Sequence, residues 1–495
     1  MVGSITKLLA YRLRRSVAYS QRDRVPVLVL AFPLKVLRLD PFWTPVLDSL
    51  SWDQFVPAED LGSLVPSISP EKLVFFLDDL VRKGVLEPEG TFPLPDYPRV
   101  SVIVPVRNRP EEIAACLTSL TRIDYPPEKL EILVVDDFSS DSTPEVISTF
   151  PVALWRLTEH KQASFCRNLA ARKAEGEILA FIDSDCQAHP LWLKDLVPAF
   201  KDSALEAIGG MVASTSGEKG LDRYEEVKSS LNIGIWFKRS QETDRFFYLP
   251  SCNLLVKRDV FLSLKGFRED LQVGEDVDFC WRLLDEGGQM EYRPRGKIYH
   301  RHRNRLSPFC RRRFEYGTSE PWLQRRHSHR IKQLILPPAG FLFWILLSLA
   351  LFFLYPPLLV GSGLVLLLDS GTRFFKLARQ QLYLTFFNIL AAVLRSYLAL
   401  LYHWAAFFSR YYLVLALPFG FFLPTISLTL IGLHLLTAGV EYYSKKPGLN
   451  FFSFLWYFTL DQLSYQLGVW WGCLKNRCFR PVNPLVATGP FFGEG

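Results

Sequence analysis

Between residues 100 and 182, short apolar runs alternate with stretches of helical spacing. The runs at 100–104, 130–135, 152–157 and 178–182 read as buried strands, and 111–120, 142–149 and 165–175 as the helices between them. Ile113, Leu117 and Leu120 fall on one side of the first of these helices. This alternation predicts an α/β fold, an open and mostly parallel sheet with helices on both faces. In such sheets ligands bind beyond the carboxyl ends of the strands. Polar clusters follow three of the runs at once: Arg107-Asn108-Arg109, Asp136-Asp137 and Asp183-Ser184-Asp185.

The pattern changes on either side. Residues 1–23 are Arg-rich and read as a basic tail. Residues 24–95 form a small unit with an apolar stretch at 27–39 and helical spacing at Val46, Leu47 and Leu50. A further helix is opened by Ser69 as cap and Pro70 in the first turn, and Lys83-Gly84 ends it. In its apolar positions this segment resembles the PqqD-like, winged-helix type of module, which implies recognition of a precursor peptide. A Pro-rich linker at 92–98 separates it from the α/β region, taken as 99–330.

Residues 331–480 read as a helical, membrane-associated region, and 481–495 as a tail. About 20 apolar residues are needed to cross a bilayer as a helix. The stretches 340–355 and 358–368 fall short and suggest a hairpin or re-entrant pair, while 411–440 is long enough for one kinked span or a pair. Arg395 and His403 make 382–408 read as an interfacial helix. Trp456, Trp470 and Trp471 suit aromatic anchoring of 451–474.

Composition narrows the function classes. The net charge of +7 is carried largely by a basic block between 293 and 332, just before the apolar region. That position favours a membrane lipid surface over nucleic acid and puts the α/β domain on the cytoplasmic side of the cell membrane. The eight cysteines form no C-x-x-C pair, in keeping with reduced thiols. Pro26, Pro33, Lys35 and Arg38 interrupt the early apolar runs, so no signal peptide is expected. No G-x-G-x-x-G follows the first strand and no G-x-x-x-x-G-K-[ST] occurs, which disfavours dinucleotide oxidoreductases and P-loop NTPases.

The candidate chemistry lies at 183–185. Side chains alternate along a strand, so Asp183 and Asp185 leave one face where the run stops. Two convergent carboxylates suit a hard divalent cation, Mg²⁺ or Mn²⁺.

The ordered set Ser101-Val102-Ile103-Val104-Pro105-Val106-Arg107-Asn108-Arg109, Val135-Asp136-Asp137-Phe138-Ser139, Asp183-Ser184-Asp185 and Gly274-Glu275-Asp276-Val277-Asp278 resembles the family 2 glycosyltransferases of GT-A fold. The resemblance implies a nucleoside diphosphate sugar as donor, a divalent cation and inversion at the anomeric carbon. It assigns Pro105, Arg107, Asn108, Asp136, Asp137, Arg167, Asp183 and Ser184 to the nucleotide sugar, with Asp137 ahead of Asp136 at the nucleobase edge. It makes Asp185 the metal ligand, with Asp183 and His300 as further members of the shell. Asp276 is the matching general base, with Glu275 beside it, and Asn253 and Trp322 are matched to the acceptor. The segment Arg311-Arg312-Arg313 resembles the one that closes over the product diphosphate. Trp322-Leu323-Gln324-Arg325-Arg326 replaces the Q-x-x-R-W of processive synthases, which argues against an extruding enzyme.

Together with the PqqD-like unit and the apolar tail, the architecture resembles the mycofactocin glycosyltransferases. That resemblance implies transfer of glucose from UDP-glucose to a peptide-derived redox cofactor, building a short oligosaccharide. The alternatives are a transferase acting on a polyprenyl-phosphate or other lipid acceptor, and a non-catalytic peptide-binding membrane scaffold.

Overall fold

The structure is a computed structural model and describes residues 9–22, 25–31, 34–89, 94–215, 217, 219–240, 246–302, 305–379 and 385–488. It divides into two units, 1–306 and 307–495.

The first unit begins with six strands and three helices. They are β1 (Ala10–Leu13), β2 (Val17–Arg22), β3 (Val25–Ala31), β4 (Leu34–Arg38), α1 (Thr44–Ser49), β5 (Val56–Pro57), α2 (Ala58–Ser63), α3 (Pro70–Arg82) and β6 (Leu86–Glu89). They make two three-stranded sheets, ordered β5-β1-β6 and β2-β3-β4. Residues 10–22 are therefore paired strands and not a tail. Tyr11, Leu13 and Val17 are buried while Arg12 pairs with Glu87, so Arg12 is the outward position of a period-two pattern in β1, and Arg14 and Arg15 lie in the turn to β2. Ser69 caps α3 by accepting from the Lys72 amide, and Gly84 takes the left-handed conformation (φ +81°) just past its end. Residues 92 and 93 of the linker, 489–495 of the C-terminal tail, and 1–8 and 23 of the basic segment lie outside the described residues.

The α/β core follows. Its strands are β7 (Val100–Val106), β8 (Leu130–Asp136), β9 (Ala153–Arg156), β10 (Ile178–Phe181), β11 (Cys186–Ala188), β12 (Leu205–Gly209), β13 (Val212–Ser214), β14 (Lys238–Arg239), β15 (Leu254–Lys257), β16 (Gln289–Tyr292) and β17 (Ile298–His300). Its helices are α4 (Pro110–Leu120), α5 (Thr143–Ile147), α6 (Ala163–Lys173), α7 (Trp192–Leu196), α8 (Gly220–Lys228), α9 (Arg258–Ser263) and α10 (Glu275–Asp285). The eight-stranded sheet runs β14-β16-β12-β15-β10-β7-β8-β9. β10, β7, β8 and β9 are mutually parallel, as are β12 and β16, whereas β15 is antiparallel to both its neighbours.

Strand alternation builds a core on each face. Val100, Val102 and Val104 pack with Ile113 and Leu117 of α4, while Ile103, Leu179 and Phe181 pack with α6, α9 and α10. A smaller sheet, β11-β17-β13, sets Cys186 opposite His300 and Ser214 beside it. The two sheets together define the site.

The second unit contains α11 (Leu306–Arg326), α12 (Pro338–Phe353), α13 (Pro356–Arg379), α14 (Phe386–Tyr411), α15 (Ala416–Phe422), α16 (Pro424–Lys445) and α17 (Phe451–Asn476). Three of them, α13, α14 and α16, are long and apolar enough to cross a membrane. Two expectations change. The short stretch 358–368 continues to Arg379, because Asp369 is answered by Arg373 at 3.0 Å and by the Tyr397 hydroxyl at 2.9 Å. The stretch around Arg395 and His403 is part of α14, a helix long and apolar enough to cross a membrane; residues 380–384 lie outside the described residues. Arg313 is buried and paired with Asp461 at 3.2 Å, so its guanidinium is engaged inside this unit rather than presented to a diphosphate. Gly468 lets α17 touch α11, since a Cβ there would lie 2.1 Å from the Phe314 carbonyl oxygen.

Candidate active site

Three polar clusters meet at the carboxyl ends of β7, β8 and β10, and the turn before α10 closes the site. Asp185 stands in the β10–β11 turn. Its Oδ2 accepts from Arg109 Nη1 at 2.5 Å, and its Oδ1 lies 3.5 Å from His300 Nε2. Burial pushes the Asp185 carboxyl up, but His300 and Arg109 outweigh it and hold the group below the ordinary aspartate value. Asp185, His300 and the Cys186 thiol bring ligand-type atoms within 4.8 Å of one another. A carboxylate and an imidazole suit a divalent cation. Burial pushes the Cys186 thiol well up, keeping it protonated and a poor ligand.

Asp183 does not share in that cluster. Its Oδ1 accepts from Arg167 Nη2 at 2.5 Å, as Asp185 accepts from Arg109. Among the described residues the ligand-type atoms that gather are those of Asp185, Cys186 and His300, so Asp183 falls outside the expected metal shell. Arg167 is buried on α6 and its other nitrogen, Nη1, donates to Glu275 Oε1 at 3.0 Å. One arginine thus staples the β10 turn to the N-terminus of α10. Burial works against its charge, but Asp183 and Glu275 overcome that and hold it firmly protonated.

Gly274, with φ +84°, lets the chain enter α10 in a left-handed conformation and puts Glu275 and Asp276 in the first turn. Asp276 Oδ2 accepts from the Ser251 amide at 3.1 Å and Oδ1 from its neighbour Val277 at 2.8 Å. Burial and then the adjacent Glu275 push its carboxyl up to about 7. A carboxylate poised near neutrality suits a general base. Asp278, two residues on, is fully buried between Arg282 and Arg268 and belongs to the packing of α10.

The nucleotide-facing residues sort differently from the expectation. Asp137 is a clasp: Oδ1 accepts from the Lys161 amide (2.7 Å), and Oδ2 from the Gln162 amide (2.9 Å) with His160 Nδ1 at 2.7 Å. Any nucleobase contact would have to share those oxygens. Asp136 has Ser139 and Arg156 on Oδ2, while its buried Oδ1 has no hydrogen-bond partner among the described residues. Arg107 is exposed, and Asn108, with φ +50°, shapes the turn by accepting from the Ser140 amide. Pro105 and Ser184 are buried, so their side chains are withdrawn from a ligand.

Asn253 is the clearest correction. It is fully buried, accepts from Trp192 Nε1 at 2.8 Å, and donates to the Met211 and Gly296 carbonyls. An amide spent on three internal bonds orders the core and does not orient an acceptor. Trp322 lies on α11 in the second unit, under the Arg326 guanidinium. Arg109 and Ser251 were left out of the sequence-based set. Arg109 sits in the same post-strand cluster as Arg107, and only the fold reveals which of the two arginines turns inward.

Residues 101–263 match the family model described as Glycosyl transferase family 2. The chain is 26% identical over 411 residues to a Pre-mycofactocin glycosyltransferase of Mycobacterium tuberculosis, covering 80% of this chain and 83% of that one. It is 32% identical over 202 residues to the glycosyltransferase AglE of Haloferax volcanii, covering 39% and 64%. Among solved structures, the mannosyltransferase PcManGT from Pyrobaculum calidifontis, in complex with GDP-Man and Mn²⁺, aligns at 21% identity and TM-score 0.37 over 61% of this chain and 88% of that one. S. aureus TarS aligns at 22% identity and TM-score 0.35 over 45% and 39%. Residues 101–263 are a glycosyl transferase family 2 domain, and the protein is a nucleotide-sugar-dependent glycosyltransferase.

Proposed function

We propose that this enzyme is a metal-dependent, inverting hexosyltransferase that moves glucose from UDP-glucose to a peptide-derived redox cofactor of the mycofactocin type, building a short oligosaccharide. The observation that carries the acceptor assignment is the 26% identity to a Pre-mycofactocin glycosyltransferase, which extends over 80% of the chain. That span reaches well beyond the residues matched by the family model, so it includes segments outside the donor-binding core. The small N-terminal unit, read as PqqD-like, then presents the peptide. The span-length helices hold the enzyme at the cell membrane with its catalytic domain on the cytoplasmic face.

In this reading Asp185 and His300 hold a Mg²⁺ or Mn²⁺ ion, whose Lewis acidity stabilises the charge on the departing diphosphate. Asp276, as its carboxylate, takes the proton from the acceptor hydroxyl while that oxygen attacks the anomeric carbon opposite the leaving group. Arg167 holds the metal-side turn and the base-side helix in register. Asp137, with Asp136 beside it, stands at the nucleobase edge in this reading.

The test is a donor screen with the purified full chain, Mn²⁺ and a peptide-derived acceptor, read by product mass. A hexose increment from UDP-glucose on that acceptor is expected. Product appearing only in organic extracts of membranes supplied with labelled UDP-glucose would replace it with the lipid-acceptor reading.

A further inference from the structure

Residues 264–267 form a corner to which three helices contribute. α9 ends there: the Lys265 amide donates to the Leu262 carbonyl at 3.0 Å and the Gly266 amide to the Phe261 carbonyl at 2.9 Å. Lys265 (φ +61°) and Gly266 (φ +64°) are both left-handed. A helix end leaves carbonyls without intrahelical donors. Here α10 supplies the donors. Arg282 donates through Nη1 to the Leu264 carbonyl and through Nη2 to the Gly266 carbonyl at 2.7 Å. Its Nε donates to the buried Asp278 at 2.8 Å, which holds the guanidinium at the corner.

α6 grips the next residue. The buried Asn168 takes both backbone groups of Phe267: Oδ1 accepts from its N–H at 2.8 Å, and Nδ2 donates to its carbonyl at 2.7 Å. The second hydrogen of Nδ2 goes to Glu269 Oε1 at 2.9 Å. A flipped amide would set its oxygen against two acceptors, so the partners fix its orientation. A Cβ at Gly266 would collide with Asn168 Oδ1, which is why the corner carries glycine. Asn168 and its neighbour Arg167 thus hold both ends of the 267–275 loop, Phe267 at one and Glu275 at the other. That loop leads into α10, whose first turn carries Asp276. Glu275 and Arg282, about two helical turns apart, anchor α10 at two points and leave its axis little freedom to swing.

We infer that Asn168 and Arg282 are positioning residues that act through the 264–267 corner to set the pose of α10, and so the aim of Asp276 at the acceptor hydroxyl. The inference rests on the reading of Asp276 as the base. Asn168→Ala removes all three amide bonds; Arg282→Lys keeps the charge beside Asp278 and loses the fork. The test uses the purified full chain with Mn²⁺, UDP-glucose and the peptide-derived acceptor. Turnover is counted per UDP-binding site by titration calorimetry. A misplacement of about 1 Å costs about 100-fold, so each variant is expected to lose about 10- to 100-fold in kcat per site, with UDP affinity and donor KM within about twofold of the parent. Destabilisation alone lowers the number of UDP-binding sites and not the turnover of each. Hydrogen exchange supplies a readout without acceptor: the amides of 274–278 should exchange faster in both variants, and those of β7 at the parental rate. Parental turnover and parental exchange at 274–278, with Asp276→Asn impaired, overturn the inference and leave the base reading standing. Parental turnover in Asp276→Asn overturns both. Arg282→Lys alone decides the matter if Asn168→Ala does not fold.

Discussion

The two lips of the site carry the same side chain in opposite electrostatic states. On the β10 side, Asp185 is buried yet held below its ordinary value by His300 and Arg109. On the α10 side, Asp276 is pushed up to about 7 by burial and by Glu275. The difference lies in the company each keeps: an arginine and a histidine at one, another carboxylate at the other. Paired titratable groups driven apart in this way commonly divide acid–base work from electrostatic work. An always-ionised Asp185 suits holding a cation. A half-ionised Asp276 suits taking a proton. Arg167 touches Asp183 on one lip and Glu275 on the other, so a single buried charge joins the two lips.

The most severe way to break the contrast is Asp185→Asn. It removes the anionic ligand and leaves Arg109 without its carboxylate. Metal-assisted charge stabilisation contributes several kcal/mol, so hexose transfer should fall by about a thousandfold or more, with Mn²⁺ binding lost in parallel. Transfer at the parental rate would remove Asp185 from the mechanism.

Asp276→Asn should come next, at about 10²- to 10⁴-fold in kcat, with donor binding retained. A pH profile sharpens this result. The base works only when deprotonated, so kcat/KM should fall about tenfold per unit below pH 7 and level off above it. An acidic limb centred near pH 4 instead would mean that Glu275 and burial do not act on Asp276 as its surroundings indicate.

Arg167→Lys tests the link between the lips. Lysine keeps the charge but lacks the fork that reaches Asp183 and Glu275 together. Loss of one charge-assisted bond costs about 1.5–3 kcal/mol, a drop in turnover of about 10- to 150-fold. The acidic limb should stay in place, because lysine keeps the charge that lowers Asp276. A normal rate would show that the two lips are positioned independently.

The contrast also explains what could be read in advance. The β-runs ending in Asp136, Asp183 and their neighbours were visible because buried parallel strands read as unbroken apolar runs. The order of acidic clusters then pointed to one sheet edge. Partner choice was not visible. Arg107 and Arg109 are equivalent in sequence, yet one is exposed and the other grips Asp185, because turn geometry around Asn108 decides it. Asn253 looked like a ligand contact for the opposite reason: a polar residue opening a strand carries no sign that Trp192 and two carbonyls, over 40 residues away in sequence, will use its whole amide. The strands β1 and β2 were missed because Arg12, Arg14 and Arg15 crowd their junction while only Tyr11, Leu13 and Val17 mark the inward face.

The smallest effect expected from the contrast is on stability, and its sign separates it from catalysis. Asp276 has a folded-state value of about 7 against an ordinary 3.8, so the folded chain holds this proton more tightly than the unfolded one. Its penalty is absent below about pH 4, grows as pH rises between the two values, and is complete above 7. Asparagine does not titrate. Asp276→Asn should therefore gain on the parent as pH rises from 5 to 8, by about 1–2 kcal/mol after allowing for solvent screening. A constant offset is expected beneath that slope, because asparagine replaces one of the oxygens that accept from the Ser251 and Val277 amides with a donor. The slope, not the offset, carries the argument. Thermal melts of both proteins at pH 5, 6, 7 and 8 measure it. A Tm difference that stays flat across that range would mean that Asp276 is an ordinary carboxylate, and the two lips would no longer differ.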